Sequence, residues 1–228
     1  KDQKQVAHLL NYDQLTGLPN RKVFLSQTSD ILLDTYQEVV IVRLNIDRYR
    51  NLANLLGPDG INSLTTSFVE RIKQLELAHL RCLSHFGGDD FALLFECKDG
   101  NMVRHQLDTL MQMCELPFPM NDSATTDANI YCHVSVGVSY FPKNDGQVTG
   151  LLTKAEKALQ YVKQHGGDDI RWYDKSIEEA TAGSLQLEAE LRVATTDGQF
   201  VPYYQPKFSL DTGAITGFEA LVRWQHPT

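Results

Sequence analysis

The sequence predicts an α+β fold with a mainly antiparallel central sheet flanked by helices. A nearly continuous β-branched and apolar run from Glu38 to Ile46 reads as a strand covered on both faces. Two further apolar runs flank Gly87 and Gly88, residues that take positive φ at no steric cost, so 80–97 reads as a β-hairpin with a tight turn. Between these strands lie segments with apolar residues at three- and four-residue intervals, the spacing of helices that bury one side. The length of 228 residues and 42% hydrophobic content allow one large domain, or one domain with part of another, around a real core.

Residues 1–12 are polar, with Val6, Leu9 and Leu10 near helical spacing, which predicts the end of a helix arriving from upstream. Pro19 and Asn20 stop the opening loop and start a helix that can bury Val23, Phe24, Ile31 and Leu32. After the 38–46 strand, a helix from about Asp59 to Leu75 is expected to bury Ile61, Leu64, Phe68 and Ile72. A helix over Met102–Cys114 follows the hairpin and presents Val103, Leu107, Leu110 and Met111. Residues 117–129 are rich in Pro, Asn, Asp, Ser and Thr and predict a loop before a strand at Ile130–Phe141. The turn Asn144-Asp-Gly146 then leads to a helix with Leu151, Leu152, Ala155, Ala158, Leu159 and Val162 inward, ended by Gly166-Gly167. A short strand, Ile170–Tyr173, closes the unit.

From Ser184 the pattern changes. Leu187, Leu191 and Ala194, with Glu188, Glu190 and Arg192 between them, predict an amphipathic linker helix ending near Asp197-Gly198. Phe200–Leu210 and Ile215–Trp224 then read as two strands joined by a turn at 211–214. The chain thus divides into an incoming linker helix (1–12), a main domain (13–175), a second linker helix (176–199) and a hairpin (200–228).

A formal net charge of −8 with no basic block argues against a general nucleic-acid or anionic-membrane surface. There is neither an apolar stretch near 18 residues nor a signal-peptide pattern, so no membrane contact and a cytoplasmic location are expected. Cys82, Cys97, Cys114 and Cys132 form no Cys-x-x-Cys pair and read as small buried hydrophobes in a reducing compartment. The seven histidines show no metal-ligand spacing.

Chemistry concentrates at Leu83–Glu96. Asp89 and Asp90 follow the glycine pair, and because strand residues alternate faces, one can meet a ligand while the other turns back to the sheet. Adjacent carboxylates beside a turn that lets backbone approach a phosphate suit a magnesium site. A surface turn rich in Gly and Asp for local reasons is the other reading.

Gly87-Gly-Asp-Asp-Phe91 resembles the signature turn of the GGDEF family, bacterial domains that condense two GTP molecules into cyclic di-GMP. Asp13–Arg21 (DQLTGLPNR) resembles the family's opening turn, Val134–Val138 its later buried strand, and Ala155–Gly166 its last helix. The resemblance covers roughly residues 11–175 and implies a palm like that of nucleotidyl cyclases and polymerases. It also implies an upstream sensor domain. Tyr204–Lys207 and Glu219–Trp224 resemble the start of an EAL domain, the family that hydrolyses cyclic di-GMP. That implies the truncated start of a TIM-like barrel, a fold that needs roughly 250 residues. Glu219 would be a metal ligand there and Arg223 a phosphate contact, with Gln205 beside them, but the remaining acids are missing.

The GGDEF pattern implies catalytic roles for Gly87, Gly88, Asp89 and Asp90, with Mg2+ as cofactor and GTP or cyclic di-GMP as ligand. In active members the central strand ends in Asp-x-Asp, whose first Asp and next carbonyl ligate metal. Here Asn45 keeps an oxygen but loses the charge, while Ile46 still offers its carbonyl and Asp89 a carboxylate. Asp47 is expected to make structural hydrogen bonds. Arg48, Tyr49 and Arg50 fall on the phosphate-binding loop, and Lys163 matches a triphosphate-binding Lys. The Arg expected shortly after it is Gly167.

Guanine recognition is weaker. The family's base-reading Asn and Asp fall on Ala53, where the contact is lost, and on Asn62, which cannot accept both guanine N–H groups as a carboxylate does. At ~1–3 kcal/mol per missing contact, GTP binding would weaken roughly 30-fold to over 10⁴-fold. Asp90 is one methylene shorter than the usual Glu. The inhibitory product site, Arg-x-x-Asp in the family, reads Ala78-His-Leu-Arg81, so product feedback there is not expected. The expected function is therefore that of a degenerate GGDEF domain regulating an attached EAL phosphodiesterase. A protein-interaction module that binds no nucleotide and a weak, dimeric diguanylate cyclase are the alternatives. Exposed strands at 200–224 predict a homodimer through that segment.

Overall fold

The computed structural model describes residues 9–34, 38–97, 100–122 and 125–227, so most of the predicted incoming helix lies outside the described residues. The chain divides into two compact units, 1–177 and 178–228.

In the first unit, helix α1 (Arg21–Asp34) leads to strand β1 (Glu38–Ile46). Asn20 starts α1, its side-chain oxygen accepting from the backbone N–H groups of Lys22 and Val23. Next come α2 (Tyr49–Gln74), the hairpin β2 (Leu80–Gly87) and β3 (Asp90–Cys97), and α3 (Gly100–Cys114). After them stand β4 (Phe118–Asp122), β5 (Thr125–Ile130), β6 (Val134–Phe141), α4 (Val148–Gln164) and β7 (Ile170–Trp172). Five strands form one sheet in the order β2-β3-β1-β6-β7, antiparallel except for the parallel β6–β7 pair. This is the expected mainly antiparallel α+β sheet.

β1 is central, and its alternation distributes the core. Val40, Val42, Leu44 and Ile46 pack with Leu64 and Phe68 of α2 and with Leu107 and Leu110 of α3. Val39 and Ile41 pack on the other face with Phe24 of α1 and with Leu151, Leu152 and Ala155 of α4. All of these side chains are buried, which is why the strand reads as continuously apolar. Helix α4 lies hard against β6 at Gly137, where a Cβ would stand 2.1 Å from the Ala155 carbonyl.

Three sequence expectations need correction. The second helix starts at Tyr49, ten residues before the expected Asp59; Gly57 (φ 70°, ψ −178°) and Pro58 kink it, and that pair masked its first turns. Arg48, Tyr49 and Arg50 therefore do not form a loop: Arg48 is the left-handed cap (φ 54°) and the other two open the helix. The polar segment 117–129 contains the two-stranded ladder β4–β5, and the strand expected from Ile130 begins at Val134. Cys82, Cys114 and Cys132 are buried free thiols; the side chain of Cys97 lies outside the described residues. Burial pushes the thiols of Cys114 and Cys132 up to about 12 and about 11.

In the second unit, helix α5 (Lys175–Thr196), which starts in the first, precedes the antiparallel hairpin β8 (Phe200–Phe208) and β9 (Ile215–Trp224). Among the described residues no helix is long and apolar enough to cross a membrane.

Candidate functional site

The signature residues meet at the carboxyl end of β1. Gly87 and Gly88, with φ of 109° and 60°, turn the hairpin so that Asp90 stands opposite Asn45 in the β1–β3 ladder. Alternation puts Arg43 and Asn45 on the same face as Val39 and Ile41, toward α4. Glu156 and Lys163, seven positions apart and so two helical turns along, present themselves to that face.

The contacts follow from this placement. Arg43 is 9% exposed, and its Nη2 donates to both carboxylate oxygens of Asp90, at 2.7 and 2.6 Å. The same guanidinium reaches Glu156 Oε2 at 3.1 Å and lies over the Phe86 ring at 5.1 Å. Lys163 Nζ donates to Asn45 Oδ1 at 2.8 Å and stands 3.5 Å from Asp89 Oδ2. Asn45 Nδ2 donates to the Asp89 carbonyl at 3.1 Å, tying the turn to the strand. Burial pushes the Asp90 carboxyl up; the Arg43 bond opposes that, and the neighbouring charges of Glu156 and Asp89 add to it.

A second set of contacts holds the turn from behind. Buried His85 places Nδ1 2.9 Å from Asp13 Oδ1 and Nε2 2.9 Å from the Gly88 carbonyl, and stacks on Phe91 at 4.6 Å. The opening turn is thereby fastened to the signature turn. Burial raises the Asp13 carboxyl, but hydrogen bonds from His85 and Thr16 outweigh it and hold the group below the usual carboxylate value.

The other candidate residues divide. Asp47 takes Ser135 Oγ at 2.6 Å and the Asp168 N–H at 2.9 Å, so its carboxylate joins β1, β6 and the loop after α4. Gly167 sits at φ 78°, and a Cβ there would stand 2.8 Å from Asp47 Oδ2, so an Arg at this position would strain the backbone and displace that carboxylate. Arg48 and Arg50 are exposed, while Tyr49 bonds Thr65 through its hydroxyl at 3.1 Å. Ala53 packs against the core and Asn62 is exposed. Arg81, at the position of the product site, pairs with Glu96 at 2.8 Å. In the second unit Gln205 stands opposite Glu219, which pairs with Lys207 at 3.2 Å, and Arg223 is exposed.

Part of the oxygen set that a magnesium ion would use is already engaged, leaving the Ile46 carbonyl and Asp89, whose Oδ2 stands 3.5 Å from Lys163. A hard cation needs free carboxylate and carbonyl oxygens, yet both Asp90 oxygens accept from Arg43 and the Asn45 oxygen accepts from Lys163. Among the described residues no three His, Cys, Asp or Glu side chains converge as a metal site. The sequence reading missed Arg43, Glu156 and His85. The signal for Arg43 was available: one charge inside an otherwise apolar buried strand requires a partner.

Known proteins resemble this chain in sequence and in fold. Two curated relatives come from Pseudomonas aeruginosa. The cyclic di-GMP phosphodiesterase NbdA is 31% identical over 98% of this chain and 28% of its own length. The bifunctional diguanylate cyclase/cyclic di-GMP phosphodiesterase MucR is 26% identical over 98% of this chain and 32% of its own. The chain thus spans about a third or less of the length of these relatives. Among solved structures, the GGDEF domain of TpbB (YfiN) from P. aeruginosa superposes with a TM-score of 0.70 at 20% identity, covering 75% of this chain and 99% of that one. The coiled coil and GGDEF domain of DgcB from Caulobacter crescentus, solved with c-di-GMP, gives 0.65 at 19% identity, covering 75% and 90%. The EAL domain model matches residues 188–228. The palm-like sheet, the glycine turn at the end of β1 and a match of residues 10–169 to the model for the diguanylate cyclase GGDEF domain agree: the chain belongs to the GGDEF family.

Proposed function

We propose that the first unit is a GGDEF domain that has given up the condensation of GTP and serves cyclic di-GMP signalling by regulating an adjoining EAL phosphodiesterase. The observation that carries this reading is the commitment of the site's own oxygens. Arg43 holds Asp90 and Lys163 holds Asn45, where a cyclase needs them open for metal and triphosphate. Loss of the base contacts at Ala53 and Asn62 acts in the same direction. The domain limits 13–175, 176–199 and 200–228, an upstream sensor and a cytoplasmic location complete the proposal.

Incubation of the folded chain with GTP and magnesium, read by chromatography, is expected to yield no cyclic di-GMP. Product that disappears in Asp89→Ala would refute the proposal and establish the weak cyclase, which the Gly87–Asp89 turn and Lys163 favour. Isothermal titration with GTP separates a nucleotide-sensing domain from a pure interaction module, which the core packing of Ala53 favours. Micromolar binding would exclude the module.

A further inference from the structure

The opposite end of the sheet holds a cavity of about 440 Å³, lined by Glu38, Arg104, Tyr140, Lys143, Trp172 and Tyr173 among others. Glu38 opens β1 and Asn45 lies seven residues on, so at about 3.3 Å per residue this cavity is roughly 23 Å from the signature turn. Its walls come from the start of β1, the end of β6, the turn after it, β7 and the first turn of α3.

The composition is unlike that of the chain around it. In a protein of net charge −8, this cavity gathers two cations among the described residues, Arg104 and Lys143, against one described acid, Glu38. Three aromatic rings line it, and the Arg104 guanidinium is positioned over the Trp172 ring at 4.8 Å from its centroid. The amino end of a fifteen-residue helix, α3, opens on the same space and adds its partial positive charge. Aromatic walls take a planar ring, paired cations and a helix amino end take a phosphate, and one carboxylate accepts ring N–H groups. The volume falls within the range of small-molecule sites.

We propose that this cavity binds a nucleoside monophosphate, with the base against the aromatic walls, the phosphate on Arg104 and Lys143, and Glu38 reading the base edge. It gives the first unit a ligand site separate from the signature turn. The inference stands whether or not that turn makes cyclic di-GMP.

The chain has two tryptophans, so Trp224→Phe leaves Trp172 as the fluorescent reporter. Titration of that variant with GMP, AMP and inorganic phosphate is expected to give saturable fluorescence changes with the nucleotides, and at least ~10-fold weaker binding of phosphate. Arg104→Ala and Lys143→Ala are each expected to weaken nucleotide binding about 10-fold, with circular dichroism melts unchanged. Four results would overturn the assignment: no saturable change up to about 10 mM nucleotide, undiminished binding in a folded double variant, phosphate binding as tightly as nucleotide, or loss of the signal on Lys163→Met. The last would place the ligand at the signature turn.

Discussion

Arg43 decides more at this site than the signature acids do. It is buried on the face of β1 that meets α4, and it neutralises Asp90 while also reaching Glu156. Removing one member of such a group leaves charge stranded in a low dielectric. Arg43→Leu is therefore expected to lower stability by roughly 2–4 kcal/mol in neutral buffer, read by urea unfolding. Burial already raises the Asp90 carboxyl, so the folded form holds that proton more tightly than the unfolded form. Stability in the variant is then expected to recover as the pH falls and Asp90 protonates. A loss that does not vary with pH would show that packing, not charge, set the cost.

The opening turn supplies a residue-scale prediction of opposite sign. Asp13 has its pKa lowered in the fold, so its contribution is present above the unfolded carboxylate value and disappears as the pH drops through the folded one. Asp13→Asn is expected to reduce stability at neutral pH. The difference from the parent is expected to shrink below the ordinary carboxylate range, in paired urea unfolding curves at the two pH values.

At the scale of elements, close contacts rather than propensity fix what each segment can accept. Gly167 combines a left-handed backbone with a position 2.8 Å from Asp47 for any Cβ. Gly167→Arg, which would restore the family's residue type, is expected to cost roughly 1–3 kcal/mol rather than to restore phosphate binding. Thermal melts and GTP titration of the same variant check both halves of that statement. Most of this layer was legible: β1, the β2–β3 hairpin, α3, α4 and the β8–β9 hairpin stand where apolar spacing placed them, within a few residues. The start of α2 and the β4–β5 ladder were not. Gly57-Pro58 and the polar composition of 117–129 are local signals for breaks, and the contacts of α2 with the core at Tyr49, Leu52 and Ala53 override the first of them.

The whole molecule consists of two compact units. The second presents Tyr204, Phe218 and Val222 at more than half exposure on a two-stranded sheet, a form that is marginal alone in water. We expect the chain to self-associate through residues 200–224, with light scattering showing a dimer that reverts to monomer when 200–228 is removed. A monodisperse monomer of the intact chain would refute this. The first unit carries its own five-stranded sheet and two core clusters, so it is expected to unfold cooperatively without 178–228.

The sequence by itself determined the family, the sheet-forming segments and the substitutions Asn45, Ala53 and Asn62, because each is a matter of residue identity at a position along the chain. The tertiary structure alone decided which charges meet. Arg43, Asp90 and Glu156 lie on three different elements, and only the β1–β3 register and the seating of α4 on β6 bring them within hydrogen-bond distance, as they bring Lys163 to Asn45. Electrostatic energy depends on separation and burial, neither of which a linear spacing encodes. For the same reason, the chain's own cations at the signature turn, and the basic aromatic cavity at the far end of the sheet, became visible only with the fold.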